Sequence, residues 1–108
     1  MYEEKNAIKH LRLSTQAQQH LKSIKDYTIQ NYSVDQWARY KQSLLHKFDL
    51  LCDNPNIGKR CESIDIEGRY FPLERHVVYY MIRDKEIVIV AILGKAQIPD
   101  EHIRELNS

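Results

Sequence analysis

The stretch "ERHVVYYMIRDKEIVIVAILGKAQ", residues 74–97, decides the fold. It holds two apolar, β-branched runs, "HVVYYMI" and "EIVIVAIL", separated by the polar break Arg83-Asp84-Lys85-Glu86. Runs of that composition around a short polar turn make a β-hairpin. Counted with a period of two, Phe71, Leu73, Val77, Tyr79 and Met81 fall on one face. His76, Val78, Tyr80 and Ile82 then fall on the other. Both faces are largely apolar, so segment 77–82 reads as a central strand, or as part of a sheet whose second face meets a partner. Pro72 belongs at an edge or a bulge, because it cannot donate to a ladder.

Upstream of the hairpin the period changes. In "STQAQQHLKSIKDYTIQNY" Ala17, Leu21, Ile24 and Thr28 share one helical face, opened by a capping box of Thr15 and Gln18. In "SVDQWARYKQSLLHKFDLLCDNP" a second box, Ser33 with Gln36, precedes the stripe Trp37, Tyr40, Leu44, Phe48 and Leu51, which Pro55 ends. One or two linking residues force these helices into an antiparallel hairpin. Before them, "IKHLRLS" alternates and reads as a short strand. "NPNIGKRCESIDIEGRYF" is turn-rich around Gly58 and Gly68, and Pro99 with Asp100 opens a short last helix over 99–106. The expected architecture is a single α+β domain over 1–108. It has an N-terminal strand, a helical hairpin packed on a mainly antiparallel three- to four-stranded sheet, and a short C-terminal helix.

Composition narrows the function. Lys and Arg number 16 against 15 Asp and Glu, a formal net charge of +1. That balance argues against direct nucleic-acid binding driven by bulk charge. No apolar run approaches a membrane span, and "MYEEKNAIKH" has no secretory h-region. Cys52 and Cys61 match neither a CxxC nor a zinc-finger spacing and read as reduced thiols of a cytoplasmic protein. The five histidines show no ligand spacing, and no P-loop, GxSxG or GxGxxG occurs, so neither metal nor cofactor is expected.

The pieces "LRLSTQAQQHLKSIKDYT", Trp37, "NPNIGKR", "GRYFPLERHVVYYMI" and "EIVIVAILGKAQIP" occur in that order between Leu11 and Leu106. In order and spacing the chain resembles the RelE/ParE superfamily of toxin–antitoxin toxins, and its ParE branch most closely. The resemblance implies a small α+β toxin with a role in plasmid stabilisation. Such a toxin poisons DNA gyrase by binding, trapping it on cleaved DNA, and is not an enzyme. The resemblance also implies a ParD-like antitoxin whose flexible C-terminal segment wraps the toxin in a hetero-oligomer.

Two alternatives stand beside this reading. In the ribonuclease branch of the superfamily, a ribosome-dependent mRNA endonuclease of the RelE kind needs a proton acceptor, a proton donor and cations on the phosphate. His76 could move a proton, and Arg69, Arg75 and Arg83 could hold phosphate. Yet no His or Tyr lies between Leu93 and Pro99, where that branch places its late catalytic group, so no catalytic residue is assigned. The other alternative is a detoxified antitoxin-binding module. Lys59 and Arg60, following Gly58, make either a solvated turn or the basic lip of a partner site. With Arg69, Arg75 and Lys95 they are expected to form a positive edge on the sheet that steers an acidic antitoxin segment or gyrase. His76 alone reads as a sheet-surface or half-buried residue bonded locally ahead of any functional role, because no second titratable group can be placed beside it. The expected target- or antitoxin-binding set is Lys59, Arg60, Arg69, Arg75, His76, Tyr80, Arg83 and Lys95.

Overall fold

The computed structural model describes residues 10–62, 67–99 and 102. Five strands and two helices occur among them: β1 (His10–Leu13), α1 (Thr15–Asn31), α2 (Val34–Asp53), β2 (Lys59–Arg60), β3 (Gly68–Leu73), β4 (His76–Arg83) and β5 (Glu86–Gly94). Short 3-10 turns cover Pro55–Ile57 and Lys95–Gln97. The strands form one sheet in the order β1-β5-β4-β3-β2, antiparallel except for the parallel pairing of β1 with β5. The sheet is therefore mixed and larger than the three or four strands expected, because β1 docks beside the last strand and the Lys59–Arg60 loop pairs with β3. Most of the expected helix over 99–106 lies outside the described residues.

The helical hairpin covers one face of the sheet. Ala17 of α1 and Tyr40, Leu44, Phe48 and Leu51 of α2 pack with Phe71, Leu73, Val78, Tyr80, Ile87, Ile89 and Ile92 in the main core. Removing each such aliphatic side chain from water contributes about 2 kcal/mol, which is what holds the layers together. The face assignment of β3 needs correcting. The tight turn at Glu74 and Arg75 sets Leu73 opposite His76 and Phe71 opposite Val78. A two-residue turn pairs odd with even positions, so Phe71 and Leu73 share a face with Val78 and Tyr80, not with Tyr79. Between β4 and β5 the register shifts at Tyr79 and Tyr80, leaving Val90 of β5 as a bulge residue. That extra residue lets Ile87, Ile89 and Ile92 all face the helices although their spacing is not uniform.

The second face is partly closed by the chain itself. Cys61, Tyr79 and Ala91 are buried there, and the Tyr79 hydroxyl hydrogen-bonds Nδ1 of His102. The His102 ring also stands edge to face on Tyr70. Cys52 is a free thiol. Pro72 lies beyond the end of β2, where its missing N–H disturbs no pairing.

Candidate functional site

Where α1 leaves the sheet, a groove of about 560 Å³ opens between the helical hairpin, the β3–β4 turn and the end of β5. Helix α1 contributes His20, Ser23, Ile24, Tyr27 and Thr28, and the inter-helix link and α2 add Tyr32, Gln36 and Tyr40. Glu74, Arg75 and His76 close it from the turn, and Ile92 and Gln97 from the far end of β5.

Local hydrogen bonding explains why α1 stands where it does. Ser14, rather than Thr15, is the N-cap: its hydroxyl accepts from the Ala17 amide and donates to the Val90 carbonyl. Its own amide donates to Ile89. Ser14 is thus still tethered to β5 and takes extended geometry, so the helix begins one residue after it. About one and a half helical turns further on, Nδ1 of His20 accepts from the Ile92 amide at 3.2 Å, past the end of β1's pairing. The second helix starts at the expected cap, with Ser33 accepting from the Gln36 amide, but the box is not completed: the Gln36 side chain accepts from Arg39 and the Ser33 amide donates to Thr28. The turn that closes the groove places Glu74 at φ 57°, a left-handed conformation in which a residue with a Cβ is strained.

On the floor of the groove two side chains lack partners. The Tyr40 hydroxyl and Nδ1 of His76 are shut off from solvent and meet no hydrogen-bonding group among the described residues. Their rings stand edge to face with centroids 5.5 Å apart. Burial, with the Glu74 charge adding to it, raises the Tyr40 hydroxyl well above the ordinary tyrosine range. Burial also pushes His76 below the ordinary histidine value, against the opposite pull of Glu74. Near neutral pH both side chains are therefore uncharged.

The expected binding residues do not assemble into one positive edge. Arg75, His76 and Lys95 gather at one end of β4, since His76 pairs with Gly94. Lys59, Arg60 and Arg69 form a second group level with Tyr79 and Tyr80, roughly 10–13 Å along β4, and Arg83 ends the strand, roughly 23 Å along it. Within that second cluster Arg69 is held by the fold, its Nη1 donating to the Gly58 carbonyl at 2.7 Å. Arg60 stands 3.8 Å from Glu62 in an exposed ion pair. Tyr80 is fully buried, and its hydroxyl donates to Pro55 at 2.7 Å and accepts from the Gly58 amide at 2.9 Å. That burial keeps Tyr80 off any surface of the folded chain.

Sequence reasoning left Tyr40 in the core stripe and found no titratable group to set beside His76. The structure supplies Tyr40, Glu74 and His20 around the same groove. The signal was the polar hydroxyl inside an otherwise apolar stripe, but nothing in helical spacing tells whether that hydroxyl finds a partner.

Comparison with known proteins gives a consistent result. Residues 11–99 match the family described as the ParE toxin of the type II toxin–antitoxin system parDE. Toxin ParE1 of Mycobacterium tuberculosis is 30% identical over 92 residues, covering 84% of this chain and 94% of that protein. Toxin ParE1 of Caulobacter vibrioides is 26% identical over 96 residues, covering 89% and 99%. A chain of the chromosomal ParDE system from P. aeruginosa superposes with a TM-score of 0.67 at 21% identity, over 79% of this chain and 94% of that one.

Proposed function

We propose, on the premise that this chain belongs to the ParE toxin family of type II toxin–antitoxin systems, that it stops growth by binding DNA gyrase and that a ParD-like antitoxin silences it. The toxin acts in the cytoplasm, as the gyrase target requires, and turns over no substrate. The observation that carries this reading is the state of the groove floor. The polar atoms that could handle a proton, the Tyr40 hydroxyl and His76 Nδ1, are both closed to solvent. A substrate phosphodiester would bring its charge against two buried, uncharged groups, whereas a docked protein segment can use the aromatic and apolar walls around them. The flexible antitoxin segment lies along this groove, between the helical hairpin and the sheet. Ordering such a segment is costly, so it needs an apolar footprint, which Ile24, Tyr27 and Tyr32 provide. Arg75 at the mouth orients it, and the Lys59–Arg60 edge is a separate contact for gyrase.

Purified gyrase is the test. Adding the toxin should inhibit supercoiling and accumulate cleaved DNA, and adding the antitoxin should restore both. Undisturbed gyrase would remove the reading. One observation favours a second reading, the mRNA endonuclease: Arg75, His76 and Tyr40 share one groove. Cleavage of RNA on translating ribosomes, lost in Arg75→Ala or His76→Ala, would put that reading in place of the first. Normal growth on expression without antitoxin would mark a detoxified module.

A further inference from the structure

Tyr40 is 5% exposed, yet its hydroxyl has no partner among the described residues, and the same holds for Nδ1 of the adjoining His76. Folded proteins keep few buried polar atoms in that condition, and each calls for an explanation. Both side chains line the groove, with Ile24 and Ile92 as apolar walls. At its mouth Glu74 and Arg75 carry one charge of each sign.

Building on the antitoxin reading, we infer that this floor is a specificity socket for one uncharged hydrogen-bonding head group, an amide or a hydroxyl, on an otherwise apolar antitoxin segment. Tyr40 Oη and His76 Nδ1 are its partners. A charged head group would lose its hydration against a floor with no counter-charge, while the mouth charges cancel. A phosphate-bearing occupant meets the same objection, with Glu74 beside the cation that would hold it. A purely apolar head group would leave both floor atoms stranded. Sites of that kind discriminate strongly against an occupant that lacks the hydrogen-bonding group. Entry parts the two rings and gives up one edge-to-face contact. That loss is smaller than the relief of two unpartnered polar atoms.

The test uses the full chain and the antitoxin encoded with it, both purified, and compares wild type with Tyr40→Phe. In the free chain this substitution deletes an unpartnered hydroxyl, so the melting temperature should rise. In the complex it deletes a satisfied one, so Kd should weaken about tenfold. A structural role would move stability and affinity together, and either that outcome or an unchanged affinity overturns the socket. A second arm replaces each Asn, Gln, Ser and Thr of the antitoxin's C-terminal segment by Ala. One replacement should weaken binding to wild type and cost less against Tyr40→Phe, where only His76 Nδ1 remains as a partner. Strict additivity at every position overturns the inference. If a fluorescein-labelled single-stranded oligonucleotide binds and Tyr40→Phe weakens it, the groove belongs to nucleic acid and the inference falls. Failure of the wild-type chain to bind the antitoxin at all removes the antitoxin reading itself, and the socket with it.

Discussion

Two buried tyrosines face the same side of the sheet and are treated in opposite ways. Tyr80 sits under the Pro55–Gly58 corner with its hydroxyl doubly bonded to that corner's backbone. Tyr40 sits under the groove with its hydroxyl bonded to no group among the described residues. The first arrangement converts a polar atom into a structural rivet that fixes the exit of α2 onto β4. The second leaves a desolvated polar atom in the free chain, a cost that other interactions must offset. The contrast separates a region shaped for stability from one shaped for an occupant.

The comparison breaks most visibly at Gly58. A Cβ there would lie 2.5 Å from the Tyr80 hydroxyl, 2.6 Å from its ring and 2.9 Å from the Tyr70 carbonyl. The ring is buried and the carbonyl belongs to β3, so neither can yield without moving a strand. Gly58→Ala should destabilise by about 3 kcal/mol in urea unfolding. A loss under about 1 kcal/mol would mean that the corner is loose and the rivet unimportant. Next in size is Tyr80→Phe, which strands the Gly58 amide and the Pro55 carbonyl together. It should cost about 2 kcal/mol. Tyr40→Phe, the same chemical change on the other tyrosine, should stabilise the free chain by about 1 kcal/mol. Equal signs for the two substitutions would erase the distinction between the regions.

How much of this the sequence disclosed follows from the range of the interactions. The helices, their antiparallel link and the 74–97 hairpin rest on local periodicity and turn chemistry, and they were legible. Ser33 as N-cap was legible for the same reason. Ser14 displaced Thr15 because its amide and hydroxyl reach β5, a contact 76 positions away. The pairing of β1 with β5 and of Lys59–Arg60 with β3 is also long-range, which is why the sheet was undercounted. The face error at Phe71 and Leu73 came from carrying a strand count through a tight turn. At the site, Arg75, His76 and Lys95 do form one frame, because hairpin register brings their positions together. Lys59, Arg60 and Arg69 do not belong to it, since charge alone gives no position along a strand. The orphaned state of Tyr40 depends on what surrounds it in three dimensions, and no spacing rule encodes that.

The smallest expected effect concerns pH and sharpens the picture of the groove floor. Burial lowers the pKa of His76 in the folded chain, and Glu74 opposes that shift. The folded state therefore resists a proton that the unfolded chain accepts. Above the unfolded value, near 6.5, His76 is neutral in both states and contributes no pH dependence. As pH falls below that value the unfolded chain binds the proton first, so stability declines until the folded pKa is reached and then levels off. The effect is modest because His76 is only half-buried and a carboxylate adjoins it. Urea midpoints at pH 7.5 and 5.5 should differ more for wild type than for His76→Phe, with other titrating groups common to both. An equal drop in the two proteins would show that His76 takes up its proton without difficulty. The floor would then tolerate charge, in contrast to the closed, uncharged environment that sets Tyr40 and His76 apart from the satisfied corner at Tyr80.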